Sequence, residues 1–313
     1  MRYYFAPMEG ITDSIYRQVH HKYFGGVDRY YMPFLSPTIH RALTHKEDRE
    51  LPIAESMPFT AVPQILTKVA DDFLWAAQVC ADRGYAEVNL NLGCPSGTVV
   101  SKGKGSGMLR DVATLDAFLD QIFQKSPLPI SVKTRIGIED VAEFAPILEV
   151  YNRYPIQELT IHPRTRKQFY SGQVHTESFV YAVENSRNKL CFNGNLNNLQ
   201  DISTFSTEFS TIDAVMIGRG LIGDPGMLCG GTKADALEGF LEELLARYTE
   251  TFGGARNAMF RMKENWSFLR YRFADSDDLW KDLRKTTDLN EYKTITKTIF
   301  RTLELTDGFN PQW

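Results

Sequence analysis

Eight short segments rich in β-forming residues recur along the chain, and they alternate with turn signals and helical patterns. Such alternation predicts parallel strands joined by right-handed crossovers. Eight units within about 220 residues match the usual size of a (β/α)8 TIM barrel. The predicted strands are Arg2–Ala6, Arg29–Met32, Thr60–Ile65, Glu87–Asn91, Ile130–Lys133, Glu158–Ile161, Lys189–Phe192 and Ala214–Ile217.

Amphipathic helices are predicted between several of these strands, with apolar residues at helical spacing. Two doubly wound halves are the structural alternative, but the first strand is not followed by a GxGxxG motif, which weakens that alternative. Examples of these predicted helices are Asp71–Arg83, Asp111–Lys125, Glu139–Tyr151 and Thr176–Asn185.

The alternation of predicted strands and helices ends near Gly230, and the sequence after it shows only helical patterns. We therefore expect an α/β barrel over residues 1–236 and a small all-helical domain over residues 237–313. The predicted helices of this second domain are Leu237–Thr251, Ala255–Phe273, Asp277–Lys285 and Asn290–Leu305.

The composition is that of an ordinary globular protein, with 43% hydrophobic and 24% charged residues. A formal net charge of −4 argues against coating of nucleic acid through overall charge, although a local basic patch is compatible with it. Four widely spaced cysteines predict reduced thiols and no metal site. The chain shows neither a signal peptide nor an apolar stretch near the roughly 18 residues of a membrane span, so we expect a cytoplasmic protein without a membrane partner.

The loops after the strands form the active face of such a barrel, and Cys94 lies in one of them. It follows the fourth strand in a Gly-Cys-Pro turn, whereas Cys80, Cys191 and Cys229 are expected to be small buried residues. A thiol with an ordinary pKa of about 8.5 is mostly protonated at pH 7 and can donate a proton. An inert loop thiol is the alternative.

Three further strand ends carry groups that could act on a ligand. Lys133 could be a Schiff-base nucleophile, a counter-charge to a bound anion, or one half of a structural ion pair. His162 could serve a ligand or be a satisfied core histidine. Gly218 and Arg219 suit a phosphate site, or they form a tight strand exit.

Six motifs, taken in order, resemble those of the tRNA-dihydrouridine synthase family. They are APMEGITD, LNLGCPS, SVKTRIG, IHPRTR, FNGN and MIGRG. The helix ARNAMFRMKENWSFLRYRF, residues 255–273, resembles the tRNA-binding helix of the family, and its RMKENW segment is similar to the bacterial C-type subgroup. Two positions depart from the family pattern: Asn195 replaces a frequent acidic residue, and Pro163 a common glycine.

The resemblance implies an enzyme that binds FMN in the barrel of residues 1–236 and tRNA through the helical domain of residues 237–313, and that uses NADPH to reduce uridines in tRNA to 5,6-dihydrouridine. We expect a monomer. Hydride from reduced FMN would reach uracil carbon-6, and Cys94 would give the proton to carbon-5. The residues implied for FMN are Pro7, Met8, Glu9, Gln64, Lys133, His162, Asn193, Gly194, Asn195, Gly218 and Arg219. Those implied for the uridine pocket are Asn91, Arg135, Arg164 and Tyr170.

A local excess of positive charge in the C-terminal region favours RNA as the partner. Between Gly253 and Phe273 there are five cations and one acid, Glu264; four of the cations, Arg256, Arg261, Lys263 and Arg270, are the predicted tRNA contacts. Three other functions stay open at this point. They are an FMN barrel oxidoreductase of the dihydroorotate or enoate type that acts on a free small molecule, a lyase that uses Lys133, and a non-catalytic RNA-binding protein.

Overall fold

The computed structural model describes residues 1–309 and 311, and one sheet of nine parallel strands organises it. The sheet order is β3-β2-β1-β9-β8-β7-β6-β5-β4. The strands are β1 Arg2–Phe5, β2 Arg29–Tyr31, β3 Ala61–Val62, β4 Gln64–Ile65, β5 Val88–Leu92, β6 Ile130–Arg135, β7 Leu159–His162, β8 Leu190–Asn193 and β9 Ala214–Ile217.

Pro63 explains why nine strands form a barrel of eight. A proline has no N–H to donate to a strand ladder, so the predicted third strand is split at Pro63 into β3 and β4. β3 pairs with β2, and β4 pairs with β5. The Pro63 carbonyl still accepts from the Asn89 N–H at 2.8 Å. The two edges of the sheet are therefore the two halves of one strand, and the prediction of a (β/α)8 barrel is confirmed.

The strands are buried along their whole length, apart from the N-terminal ends of β1, β2 and β3 and the position of Lys133. Parallel strands of a barrel are covered on both faces, so burial does not alternate. Side chains from five of the strands meet in one cluster of the core. Its members are Tyr4, Ala6, Tyr31, Val62, Cys191, Ala214 and Met216.

Thirteen α-helices are present within the described residues. They are α1 Ser14–Tyr23, α2 His45–Glu50, α3 Ala70–Asp82, α4 Gly97–Val100, α5 Val112–Lys125, α6 Phe144–Tyr151, α7 Thr176–Asn185, α8 Leu199–Glu208, α9 Arg219–Gly223, α10 Ala234–Thr251, α11 Ala255–Leu269, α12 Asp277–Lys285 and α13 Leu289–Thr302. The predicted bounds of α7 and α12 are met, whereas α1, α2, α4, α8 and α9 were not predicted.

The chain divides into two compact units. The first consists of Met1–Pro7, Arg29–Gly194 and Ser210–Met216, and it holds almost all of the strands. The second consists of Met8–Asp28, Asn195–Phe209 and the chain from Ile217 onward. The predicted boundary after residue 236 falls inside this second unit, and residues 310, 312 and 313 of the predicted helical domain lie outside the described residues.

Contacts of α1 show why the second unit includes a segment from the N-terminal part of the chain. The ring of Tyr16 packs against that of Phe240 in α10, with ring centroids 5.4 Å apart. The buried His20 lies 3.1 Å from the Pro225 carbonyl through Nε2. Burial lowers the pKa of His20 to about 3, so the ring is neutral and its Nε2–H donates to that carbonyl.

Candidate active site

Asn91 fixes the turn that presents Cys94. Its side-chain oxygen accepts hydrogen bonds from the backbone N–H groups of Gly93, at 3.0 Å, and Cys94, at 2.9 Å. Its amide nitrogen donates to the side-chain oxygen of Gln64 at 2.7 Å. Asn91 and Gln64 are both buried, whereas Cys94 is half-buried. A buried amide therefore holds the backbone of a partly accessible thiol.

Ser106 secures the same turn from the other side. Its hydroxyl donates to the Cys94 carbonyl at 2.8 Å, and its backbone N–H reaches the same oxygen at 3.2 Å. Ser106 is completely buried. The sequence analysis did not single it out, because a serine within the glycine-rich segment that follows Cys94 looks like an ordinary loop residue.

Arg135 ties the cysteine turn to the loop after β7. Its Nε donates to the Gly93 carbonyl at 2.9 Å, and its two other nitrogens donate to the carbonyls of Thr165, at 2.9 Å, and Phe169, at 2.6 Å. Burial lowers the pKa of Arg135 to about 10, which leaves it cationic at neutral pH. Its guanidinium donates to three backbone carbonyls, and its predicted place in a uridine pocket stays a prediction.

Lys133 lies beside the cysteine turn and faces no anion. In the register of β5 and β6 it pairs with Asn91. Among residues 1–309 and 311 its amine has no hydrogen-bond or ion-pair partner, and no carboxylate acts on it electrostatically. Burial and, to a smaller extent, the Arg135 cation lower the pKa of Lys133 to about 8. A desolvated ammonium of this kind fits a negatively charged ligand.

His162 and Arg164 form a second polar group at the end of β7. The Arg164 guanidinium lies 3.2 Å from Nε2 of His162. A guanidinium only donates, so Nε2 accepts and the imidazole carries its proton on Nδ1. Arg164 also donates to the Gly172 carbonyl at 2.8 Å and is fully buried. Like Arg135, it donates to a backbone carbonyl of a loop, and its predicted role in the uridine pocket stays a prediction.

Tyr170 provides an accessible aromatic surface beside these groups. Its side chain is 46% exposed. The Tyr170 ring centroid is 6.4 Å from that of His162 and 5.4 Å from the guanidinium carbon of Arg135. An exposed ring supported from below by a buried cation suits stacking of a flat ligand.

The segment after β8 begins in the first unit. Asn193 donates to the Met216 carbonyl at 2.7 Å, which joins the ends of β8 and β9. A side chain at Gly194 would place its Cβ 2.5 Å from the Phe192 ring, so a larger residue here would have to displace that ring.

Arg219 and Asn195 meet in the second unit. Arg219 Nη2 donates to the Asn195 side-chain oxygen at 3.0 Å. Gly218 precedes α9, and a Cβ at Gly220 would lie 2.2 Å from the Leu196 carbonyl. The departure from an acidic residue at position 195 therefore keeps an acceptor for Arg219.

The first loop supplies a turn centred on Met8. Within the second unit, the Met8 N–H donates to the Thr12 hydroxyl at 2.9 Å, and the Met8 carbonyl accepts from Ile11 and Thr12. Pro7 and Met8 are half-buried, and Glu9 is exposed.

Two cations of α11 and the turn after it form ion pairs, one of them with a residue distant in the sequence. Arg261 pairs with Asp13 at 3.1 Å, and its guanidinium carbon lies 3.9 Å from the centre of the Phe252 ring. Arg270 pairs with Asp277 at 2.8 Å.

Two more of these cations are buried. Arg272 pairs with Asp224. The amine of Lys263 donates to the carbonyls of Arg284 and Thr286 at the end of α12. Lys263 therefore caps the end of α12, and its predicted contact with tRNA stays a prediction. Arg256 alone of the four predicted tRNA contacts is exposed, beside Phe260.

Cysteine placement follows the prediction in two of three cases. Cys80 and Cys191 are buried, but Cys229 is exposed in a short turn, where its thiol lies 3.3 Å from the Gly226 carbonyl. In the part of the chain that the structure describes, no three His, Cys, Asp or Glu side chains gather as a metal site would require, and no helix is long and apolar enough to cross a membrane.

Eight parallel strands with an amine, a thiol and an imidazole at their carboxyl ends define a (β/α)8 barrel with the polar groups of an enzyme. Solved structures of similar fold include morphinone reductase, at a TM-score of 0.50 and 12% identity over 72% of this chain and 84% of that one. An old yellow enzyme homologue from Zymomonas mobilis has a TM-score of 0.50 and 11% identity over 72% and 86%. At such identities the likeness describes the fold alone.

The family is fixed by sequence. Residues 4–299 match the family model described as Dihydrouridine synthase (Dus), and the chain belongs to that family. A "Probable tRNA-dihydrouridine synthase" of Staphylococcus aureus is 31% identical over 236 residues, which cover 70% of this chain and 68% of the relative. "tRNA-dihydrouridine synthase B" of Pasteurella multocida is 28% identical over 227 residues, or 72% and 67% of the two chains. The C-type subgroup stays a prediction.

Proposed function

We propose that this chain is an FMN-dependent enzyme that reduces uridines in tRNA to 5,6-dihydrouridine at the expense of NADPH. The observation that carries the proposal is a partly accessible thiol, Cys94, held on a rigid turn beside an ammonium that lacks an anion, Lys133. Membership of the Dus family supplies the reaction class, and these two groups supply the chemistry that such a reaction requires.

Lys133 is the residue that argues most directly for a flavin. A partly desolvated ammonium is stabilised when an anionic ligand comes close, and the pKa of the amine then rises. We propose that Lys133 and His162 hold the isoalloxazine ring and the nearby ribityl oxygens, with Gln64 toward the polar edge of the ring and Pro7 against it. Met8 and Glu9 stay sequence-based predictions for the same cofactor. When bound, reduced FMN supplies the hydride for uracil carbon-6 and is reduced again by NADPH.

Two groups of residues are proposed for the phosphate end. In the second unit, Gly218, Arg219 and Asn195 present a guanidinium and an amide next to a glycine-rich turn. Asn193 and Gly194 of the first unit precede Asn195 directly in the chain. Arg favours phosphate because its planar donors match two oxygens at once.

Cys94 is proposed as the proton donor to uracil carbon-5. Addition of hydride at carbon-6 leaves negative charge on carbon-5 and the carbon-4 carbonyl, and a positioned acid quenches that charge. The S–H bond breaks as the new C–H bond forms, which leaves a thiolate at Cys94. Lys133 and Arg135 both interact electrostatically with Cys94, so these two cations stabilise the thiolate until it takes a proton again.

The remaining pocket residues are proposed to shape the uridine site. Tyr170 would stack on the base after it leaves the RNA helix, a step that enzymes acting on bases require. Asn91, Arg135 and Arg164 would act through the loops they hold, because their donors are committed to backbone or side-chain oxygens and to the His162 ring.

The experiment is to purify the protein and incubate it with NADPH and unmodified tRNA. We expect a yellow protein with a flavin absorption band, and dihydrouridine in the tRNA. The Cys94→Ala variant should keep the band and lose the product, while Cys80→Ala, a buried thiol, is the matched control. Protein that stays colourless after addition of FMN would refute the proposal.

A Schiff-base lyase is the second candidate, because a lowered pKa and an absent counter-ion at Lys133 also suit an amine nucleophile. Borohydride would then trap a carbonyl substrate on Lys133, and flavin would not bind. An FMN barrel that acts on a free small molecule would instead show activity without RNA.

The four cysteines form no disulfide, which fits a reducing cytoplasm, and we propose the cytoplasm as the compartment. We also propose that the protein is a monomer, and a mass measurement in solution tests this.

A further inference from the structure

Three lysines converge on Gly103, in the loop that follows Cys94. Lys102 and Lys104 flank Gly103 in the chain. The side chain of Lys68, from the loop after β4, lies against the same glycine: a Cβ at Gly103 would be 3.5 Å from Lys68 Cδ and 3.6 Å from Lys68 Nζ. Lys68 and Lys102 are exposed, and Lys104 is half-buried. Lys68, Lys102 and Lys104 are hereafter the loop lysine cluster.

A glycine turn and two hydrogen bonds hold this arrangement. Gly103 has a φ of +68°, a left-handed conformation that favours glycine. The Lys104 amine donates to the Ser36 hydroxyl at 3.3 Å, and that hydroxyl donates to the Leu66 carbonyl, also at 3.3 Å. Leu66 lies two residues before Lys68. Lys68 and Lys104, which come from different loops, are therefore joined through Ser36.

The cluster lies close to the Cys94 thiol. A Cβ at Gly105 would be 3.0 Å from Cys94 Cβ. Gly103 is two residues before Gly105, which is at most about 8 Å of chain, since consecutive Cα atoms are about 3.8 Å apart. A ligand held by the loop lysine cluster therefore reaches the carboxyl ends of the strands, where Cys94 is presented.

Nearby carboxylates do not neutralise the cluster. Asp71 and Asp72 each lie 3.7 Å from the Arg41 guanidinium. Both side-chain oxygens of Glu47 accept from backbone N–H groups. Within the part of the chain that the structure describes, none of the three lysines forms an ion pair. Three like charges near one another repel, and a multiply charged anion removes that cost.

The charge of the cluster favours a doubly charged anion. A phosphate monoester carries a charge of about −1.5 to −2 at pH 7, whereas each phosphodiester of RNA carries a single negative charge. NADPH differs from NADH by one phosphate monoester, on the 2′-oxygen of its adenosine ribose. Lysine amines bind phosphate as point charges. Three amines around one point therefore match that monoester better than they match RNA or the pyrophosphate that both coenzymes share.

We propose that the loop lysine cluster binds the 2′-phosphate of NADPH and so selects this coenzyme over NADH. The inference rests on the proposed function for its ligand and deepens it by naming the residues that choose the reductant. Bound there, the adenosine end of the coenzyme lies at the loop that carries Cys94, and its nicotinamide end extends toward the strand ends of the barrel.

The test is a calorimetric titration of FMN-loaded protein with NADP⁺ and NAD⁺, neither of which reduces FMN. The wild type should bind NADP⁺ at least about tenfold more tightly than NAD⁺, as three charge-assisted contacts predict, and high salt should reduce that preference. In Lys68→Gln/Lys102→Gln/Lys104→Gln the dissociation constant of NADP⁺ should rise to that of NAD⁺, which should keep its wild-type value. Lys68→Gln alone, outside the loop of Cys94, should give part of the loss.

The matched control is Lys125→Gln/Lys189→Gln/Lys233→Gln, which removes the same charge from exposed positions elsewhere. It should keep the preference for NADP⁺, and both triples should keep the flavin band and the wild-type melting temperature. In stopped-flow experiments, tRNA should reoxidise the reduced cluster variant at the wild-type rate.

Three results would overturn the proposal. They are equal binding of the two dinucleotides by the wild type, equal changes for both dinucleotides in the cluster variant, and slower reoxidation by tRNA with unchanged binding of NADP⁺. The last of these would assign the lysines to RNA. If the wild type still forms dihydrouridine, the proposed function stands and only this site fails. A wild type that neither binds FMN nor forms dihydrouridine would refute both.

Discussion

Replacing Asn91 tests how much of the activity depends on the turn that carries Cys94. Asn91→Ala removes an oxygen that accepts from two backbone N–H groups, at 3.0 and 2.9 Å. A neutral hydrogen bond contributes about 0.5–1.5 kcal/mol net, so the turn loses about 1–3 kcal/mol of positional stability. If the thiol must occupy this position in the transition state, the rate falls about 5-fold to 150-fold.

The assay is dihydrouridine formation at saturating tRNA and NADPH, with the flavin band as a control for cofactor binding. Asn91→Asp keeps the acceptor oxygen of the turn and should recover part of the rate. A variant Asn91→Ala with the wild-type rate would refute the positioning argument. Loss of rate that only follows loss of flavin would also refute it.

Three further changes have defined outcomes. Lys133→Met should weaken flavin binding. The flavin affinity of the wild type should fall as pH rises through about 8, since the cationic form of Lys133 binds the anion. An absorbance titration measures both, and a flat pH profile would contradict the role of Lys133 in flavin binding. His20 has a lowered pKa, so the unfolded chain binds the extra proton and stability falls as pH drops below about 6.5, by up to about 1.4 kcal/mol per pH unit; in denaturant titrations His20→Gln should lack this slope. Lys263→Met should lower the free energy of unfolding by about 3 kcal/mol, because two carbonyls lose a charged donor. The slope of log K for tRNA binding against log salt should stay unchanged. A changed slope would show that Lys263 contacts RNA.

The barrel could be predicted from the sequence because the alternation of strand and helix patterns is periodic and local. Each strand carries its own β-forming residues, and each strand end carries the groups that face a ligand. The split at Pro63 was not predicted, although the missing N–H of proline is a property of the sequence itself. Helix α1 was not identified from the sequence, and its buried face includes the polar residue Arg17.

The charge argument for α11 counted neighbours in sequence only, so it did not identify which of its cations have partners elsewhere in the chain. Arg261 is neutralised by Asp13, which lies 248 residues earlier in the chain. The amine of Lys263 donates to backbone carbonyls, and every residue has a backbone carbonyl, so the sequence does not identify these partners. The same limit applies to Arg135 and Arg164: the motifs identified them, but their commitment to loop carbonyls depends on how the chain folds.

The most direct measurement of the central claim separates the two halves of the reaction in Cys94→Ala. Stopped-flow absorbance should show the flavin reduced by NADPH at the wild-type rate, because that step does not use the thiol. Reoxidation of the reduced enzyme by tRNA should then slow by about 10²–10⁴-fold, the usual contribution of a positioned acid. Reoxidation by tRNA at the wild-type rate would contradict the assignment of Cys94 as the proton donor.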